Sequence, residues 1–424
     1  MKNGKLLKGI TAIVLAAGRG TRMKTPRPKV LEPILGKAML DWVLETIKGI
    51  GIRRTVLVVG YQAEVVRAHV RDRGDIVCVN QSNPLGTADA IRYAKDRIPR
   101  DCQRVLVLYG DTPLFRIETL RHLIEQHCND TAVATFISTE VPDPAGYGRV
   151  VRDWEGKIKG IVEEKVLSSE QERAIREINT GAYLFERGPL FEGLPHLKAN
   201  DQGEFYLTDL ITSWAQMGLR VQAIQIKNKD EGLGVNTFEE LTQATGILKA
   251  RVLEKHHQSG VDILDPATTY IADGVQVGKG TRILPFTVIE SDVVIGEDCT
   301  IGPFARIRPG SEIQRGAEIG NFVEINRSTV GRKTLVKHLT YLGDAQVGAL
   351  ANIGAGTITA NFNGHQKNKT IIGDEASIGS HTVLVAPVRV GKRAITGAGC
   401  VVPKRKHVPP GAVVVGVPAR ILRK

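Results

Sequence analysis

Hydrophobic residues follow two different rhythms along this 424-residue chain. From residue 12 to about 245, short aliphatic runs (AIVLAAG, RTVLVVGY, RVLVLYGD, TAVATFIST) alternate with stretches whose apolar residues recur at helical spacing (AMLDWVLETIKGIG, GTADAIRYAKDRI, ETLRHLIEQH). That alternation predicts a Rossmann-like α/β domain, a mainly parallel sheet flanked by helices with ligands at the carboxyl ends of the strands. From Ile271 the rhythm changes, and an aliphatic residue returns every six positions through Val277, Ile283 and Ile289 to Ile325. The phase resets near Val330 and again at Val347, and resumes at Ile372, Ile378, Leu384 and Val390. So strict a period marks a solenoid. Three six-residue edges close one triangular turn, so residues 271–415 are predicted to wind a parallel β-helix of roughly eight coils. Glycine and proline in PFARIRPG and VGKGTRI suit its corners, and NFNGHQKNK, residues 361–369, reads as an inserted loop. The expected domains are residues 1–237 (α/β), 238–262 (a helical linker) and 263–424 (β-helix).

Composition narrows the class. At 42% hydrophobic the chain can fold two such cores, and MKNGKLLKG, short and basic, does not read as a signal sequence, so a cytoplasmic protein without membrane insertion is expected. The cysteines, Cys78, Cys102, Cys128, Cys299 and Cys400, are odd in number and lack metal spacing, so they read as packing or surface residues. A net charge of +12 suits a polyanion, but aromatics are 5% of residues and are not interleaved with the basic ones. Anionic small molecules are therefore expected rather than nucleic acid.

Candidate chemistry appears at strand ends. LAAGRGTRMKTPRPK follows the first strand, and its Gly18 and Gly20 would let backbone N–H groups approach a phosphate while Arg22 and Lys29 supply cations. Ordinary strand-to-helix turns also make such loops. In LYGDTPL, Asp111 stands where a carboxylate can hold Mg²⁺ against a triphosphate, or where it caps the following helix.

Taken in order, LAAGRGTRM with PK, LGTADA, YGD, GYGRV, IVEEK, EINTG, GEFYLTD and GVN resemble the sugar-1-phosphate nucleotidylyltransferases. With the repeats and KHLTYLGD, almost the whole chain resembles the bifunctional N-acetylglucosamine-1-phosphate uridylyltransferase/glucosamine-1-phosphate acetyltransferase family. The resemblance implies a left-handed β-helix and a homotrimer. It implies that Leu15, Ala16, Ala17, Gly18, Gln81, Gly86 and Thr87 hold the uridine of UTP, with Arg22 and Lys29 on its phosphates and Tyr109 a further substrate-binding residue. Asp111 and Asn236 would hold Mg²⁺, and Gly148, Glu163 and Asn179 the N-acetylglucosamine-1-phosphate. In the β-helix it implies His338 as the base that deprotonates glucosamine-1-phosphate, Tyr341 and Asn352 positioning the sugar, and Arg308 on its phosphate. Acetyl-CoA would lie along Ala355, Asn361, Phe362, Ser380 and Ala398.

The chain departs from the family pattern at several positions. Pro84 replaces a glutamine beside the base-binding loop, Asn326 a phosphate-binding lysine with Arg327 next to it, and Phe362 a tyrosine. Gly416 stands for a coenzyme-binding arginine, with Arg420 four residues on, and the stretch from Asn236 to Arg308 looks roughly two coils short. Two alternatives follow: a uridylyltransferase whose helix has lost or changed its acyl chemistry, and a non-catalytic scaffold in which the helix only trimerises.

Overall fold

A computed structural model describes Leu7 and residues 9–422; most of MKNGKLLKG lies outside them. The chain forms two compact units that divide between Ile247 and Leu248, within the helix Phe238–Gln258.

The main sheet of the first unit runs Val221–Gln225, Ala134–Glu140, Glu177–Glu186, Arg104–Tyr109, Ile10–Ala16, Thr55–Val59, Ile76–Asn80. Every pairing is parallel except those of Glu177–Glu186, which is antiparallel to both neighbours. The aliphatic runs of the sequence are its central strands: all residues of Ile10–Ala16 and Thr55–Val59 are buried, because helices cover both faces. Alternate residues serve opposite sides. Val14 and Leu57 pack with Leu44 and Leu120 of the helices Met39–Ile50 and Ile117–Asn129, while Ile13 and Val56 pack with Ile91 and Trp214 of Thr87–Ala94 and Leu207–Gln216. The edge strands Ile76–Asn80 and Val221–Gln225 are only half-buried, which explains why IVCVN and VQAIQ stand out less in the sequence. After Ile10–Ala16 the chain builds Thr55–Val59 on one side of it and later returns with Arg104–Tyr109 on the other. The crevice beyond the carboxyl ends of Ile10–Ala16 and Arg104–Tyr109 is thus the topological switch point, where ligands of such sheets bind.

The second unit is a left-handed β-helix whose three parallel sheets are stacked coil upon coil. Ile271 pairs in register with Ile289, Ile289 with Ile307 and Ile307 with Ile325, so each coil consumes 18 residues, and these isoleucines are 0% exposed. Burying one such side chain contributes about 1.5–3 kcal/mol, and the repeat supplies one per edge. The phase resets are real: Ile325 pairs with Leu342, and Val330 with Val347, each one residue short of a full coil. Val347 pairs with Ile372, so 361–369 leaves the coil as an insertion, closed by a bridge between Phe362 and Lys367. All five cysteines are free, and Cys102, Cys299 and Cys400 are buried.

Candidate active sites

At the switch point, Leu15 and Ala16 end the first strand, and residues 17–20 lead into the turn Thr21–Met23 that carries the exposed Arg22. Gly18 is exposed, with no atom within 4 Å of where a Cβ would stand, so its backbone is open to a ligand. Gly20 has φ 61°, and a Cβ there would lie 2.7 Å from Lys29 Cβ, so glycine is what lets Lys29 sit where it does. The Lys29 ammonium pairs with Asp111 and donates to Asn236 Oδ1 at 2.9 Å. Asp111 lies just past Arg104–Tyr109, and it is not a helix cap, because the next helix is capped at Arg116. Asn236 is held by the start of the helix Phe238–Gln258. Its N–H donates to Glu240 Oε2 at 2.5 Å, while Thr237 Oγ1 accepts from the Glu240 N–H at 3.2 Å, a reciprocal cap.

The loop before Thr87 is shaped from beneath and from the side. Buried Gln81 donates to Gly86 O at 3.2 Å and to Asp89 Oδ2 at 2.8 Å. Gly86, at φ 101°, would place a Cβ 2.5 Å from Phe205 O, and Thr87 Oγ1 accepts from the Leu207 N–H at 2.9 Å. GEFYLTD therefore acts as a clamp on the loop, with Phe205 N–H donating to Leu85 O at 2.7 Å. Pro84 is exposed and offers this loop no donor.

Gly148, Glu163 and Asn179 converge. The Asn179 N–H donates to Gly148 O at 2.9 Å, and a Cβ on Gly148 would stand 3.4 Å from the Glu163 carboxylate. Burial pushes the Glu163 carboxyl above its usual range, opposed by a 2.8 Å bond from Thr208 and helped by Asp209. Asn179 Nδ2 donates to the Tyr183 hydroxyl at 2.5 Å. Burial, with the charge of Glu163 second, also keeps the Tyr109 phenol protonated, and its ring presses on Gly181, whose φ is 83°. Tyr147, from GYGRV, is not marked by the sequence alone. Its hydroxyl accepts from the Gly234 N–H at 3.4 Å, tying the hairpin Arg149–Arg152/Ile158–Val162 to the Asn236 side of the crevice.

In the second unit His338 is exposed at a corner, with Nδ1 2.8 Å from Asn321 Oδ1 of the preceding coil, its register partner. An amide oxygen only accepts, so Nδ1 carries a hydrogen, and in the neutral ring Nε2 is the nitrogen with the lone pair. Asn321 was missed because it stands 17 residues away, across a shortened coil. Val336 pairs with Ile353, Ile353 with Ile378 and Ile378 with Thr396. Carrying that register two residues on aligns His338, Ala355, Ser380 and Ala398 in one column along the corner. Gly416 follows them, and the strand Arg420–Ile421 folds back so that Arg420 pairs with Val415. Arg420 is thereby paired one residue before Gly416.

The Tyr341 hydroxyl and Asn361 amide meet over Gly343, where a Cβ would lie 2.5 Å and 2.6 Å from them. Arg308 donates to Glu324 Oε1 at 2.8 Å, and Glu324 pairs in register with Tyr341. Asn326 is buried, and its Oδ1 accepts from Arg327 at 2.9 Å; Arg327 also grips Asp344 through bonds of 2.7 and 2.9 Å. Arg327, with Asn361 adding, holds the Asp344 carboxyl below its usual range. The structure does not bring every candidate to His338: Asn352 pairs with Leu335, three residues back, and Phe362 stands 60% exposed in the inserted loop.

A first unit whose candidate residues gather at a switch point, joined to hexapeptide coils, defines a nucleotidyl transferase carrying a second transferase fold. The profile of the nucleotidyl transferase family matches residues 11–245, and that of the bacterial transferase hexapeptide residues 292–327. The bifunctional protein GlmU of Pelobacter propionicus is 40% identical over 453 aligned positions, covering 99% of this chain and 98% of that relative. GlmU of Geobacillus sp. strain WCH70 is 42% identical over 92% of the chain and 91% of the relative, and that of Pelotomaculum thermopropionicum 43% over 89% and 90%. The chain belongs to the family of the bifunctional protein GlmU. The 453 aligned positions exceed the 424 residues here, so the Pelobacter relative has residues without a counterpart in this chain.

Proposed function

We propose that the crevice of the first unit and the corner column of the second carry out the two half-reactions of UDP-N-acetylglucosamine synthesis. The chain is a bifunctional enzyme, which N-acetylates glucosamine-1-phosphate from acetyl-CoA and then transfers uridylyl from UTP to N-acetylglucosamine-1-phosphate, releasing pyrophosphate. The reading that leaves the helix silent is not favoured.

In the first reaction of phosphates, an oxygen of the sugar phosphate attacks the α-phosphorus of UTP, and the bond to pyrophosphate breaks. Two polyanions must meet, so the residues' task is positioning and neutralising charge rather than forming a covalent intermediate. Lys29 and Arg22 meet the phosphates. The residues at 15–18, with Gln81, Gly86, Thr87 and Tyr109, form the uridine side, and Gly148, Glu163 and Asn179 the sugar side. Asp111 and Asn236 suit Mg²⁺: both oxygens reach one cation, the Lys29 ammonium, and hard oxygen donors completed by phosphates are what Mg²⁺ takes. Bound there, Mg²⁺ would offset phosphate charge.

In the second unit His338 Nε2 takes the proton from the amine of glucosamine-1-phosphate as nitrogen attacks the thioester carbonyl and the coenzyme thiolate leaves. Asn321 fixes the tautomer. Tyr341 and Asn352 position the sugar, Arg308 meets its phosphate, and acetyl-CoA lies along Ala355, Asn361, Phe362, Ser380 and Ala398. The working state proposed is a homotrimer in the cytoplasm; the hexapeptide repeats support the first. Among the described residues no helix is long and apolar enough to cross a membrane.

The observation that carries this reading is the convergence of Lys29, Asp111 and Asn236 from three segments. Assaying each half-reaction separately, with its own substrates, tests it. Uridylyl transfer that persists without divalent metal, or no acetylation at millimolar substrate, would refute the corresponding half.

A further inference from the structure

Gln81 and Asp89 form a buried pair beneath the loop that carries Gly86 and Thr87. Gln81 follows the strand Ile76–Asn80, its own N–H donates to Val59 O at 2.8 Å, and it is 5% exposed. Asp89, 8% exposed, lies in the first turn of the helix Thr87–Ala94. An acidic residue there favours the helix through its macrodipole, but an exposed one would serve as well. Among the described residues no cation pairs with this carboxylate, and its hydrogen bond comes from Gln81 Nε2 at 2.8 Å. Burying a carboxylate is costly unless it is well compensated, and a neutral amide compensates poorly. The pair is therefore poor value for stability alone, which points to a task at Gln81.

Both partners of the Gln81 amide are acceptors. The Gly86 carbonyl at 3.2 Å and the Asp89 carboxylate at 2.8 Å cannot donate, so both face Nε2 and take its two hydrogens. The orientation of the amide is thereby forced. Gln81 Oε1 accepts from no group among the described residues and is not a sealed buried atom, so it is the part of the side chain left to meet a ligand. Pro84, standing in the same loop where the family pattern has a glutamine, offers no side-chain hydrogen bond, which puts more of the base reading on Gln81. We propose that Asp89 is a positioning residue for base selection: by holding the Gln81 amide through Nε2, it turns an acceptor toward the bound base. Uracil answers with its ring N3–H. Cytosine has a lone pair at N3, so two acceptors would oppose each other, and a site built to receive a hydrogen rejects a base that lacks it. The inference rests on the uridine reading of Gln81 and adds the residue that decides which end of its amide the base meets.

The test uses the full chain, with UTP and CTP compared as nucleotide donors to N-acetylglucosamine-1-phosphate. Asp89→Asn keeps the shape of the side chain but can donate to Gln81 Oε1 as well as accept from Nε2, so the Gln81 amide is free to turn. The ratio of kcat/KM for UTP to that for CTP should fall about tenfold or more, with CTP use rising and the folded dichroism signal intact. A merely structural role would lower both nucleotides together, and a ratio that stays at the parent's value overturns the proposal. Gln81→Ala separates this from failure of the uridine reading. A parental ratio in Gln81→Ala overturns that reading and the proposal with it, whereas a collapsed ratio there beside a parental one in Asp89→Asn overturns the proposal alone. A parent that uses CTP as well as UTP overturns the proposal too. If Asp89→Asn loses its dichroism signal, Asp89→Ser, which can also donate and accept, is measured instead, and the same outcomes decide.

Discussion

Lys29 and Asp111, 82 residues apart in the chain, form an ion pair at the switch point of the sheet. The cation and the carboxylate proposed to flank the reacting phosphates are therefore preassembled. Asp111→Ala should lower uridylyl transfer by roughly 10² or more, as loss of a principal charge-positioning group does, and excess Mg²⁺ should not restore it. Acetyl transfer, in the other unit, should be unchanged. Separate assays of the two half-reactions check this, and wild-type uridylyl transfer in the mutant would exclude Asp111 as a metal ligand.

Glu163 gives a pH signature. Burial raises its carboxyl above 4.5 in the folded chain, so between 4.5 and that raised value the folded state binds more protons than the unfolded one. Its contribution to stability is present below 4.5 and is lost as pH rises through the folded value. Glu163→Gln should flatten that part of the profile in urea melts from acid to neutral pH. The same variant should raise the KM for N-acetylglucosamine-1-phosphate about tenfold, the worth of a hydrogen bond to a charged group.

His338→Ala should slow acetyl transfer by roughly 10² to 10⁴, the usual contribution of a positioned base. Asn321→Ala leaves the imidazole in place but removes the acceptor that fixes its tautomer. A smaller loss of about tenfold is expected, in kcat rather than KM. A KM effect alone would make Asn321 a binding residue instead.

Asn326→Lys would seem to restore a missing cation. Yet Asn326 is buried, and its oxygen already accepts from Arg327, which Asp344 holds through two bonds. A lysine there would bury a cation beside the exposed Arg327 guanidinium. The variant should lose about 2 kcal/mol or more of stability in thermal melts and should not lower the KM for glucosamine-1-phosphate. Arg327→Gln should unpair Asp344 and raise that KM.

Both architectures could be read from hydrophobic spacing, because each buries its apolar residues at a fixed interval. Central strands covered on both faces become continuous aliphatic runs, as in Ile10–Ala16, and a β-helix with one inward residue per edge prints its six-residue period directly. Gly18 and Gly20 could be read only as an open phosphate loop, because what a side chain at Gly20 or Gly86 would strike, Lys29 or Phe205, is set by tertiary packing. Sequence did not show what depends on register and on loops returning from afar. Lys29, Asp111 and Asn236 meet only because parallel strands deliver their loops to one edge of the sheet. Asn321 reaches His338 through a coil one residue short, and Arg420 returns to Val415 through a terminal turn. The stacked rings of Phe286, Phe304 and Phe322 are three separate residues until the coils bring them together. Local patterns follow from burial along the chain, whereas partners across coils and loops are set by how the elements pack.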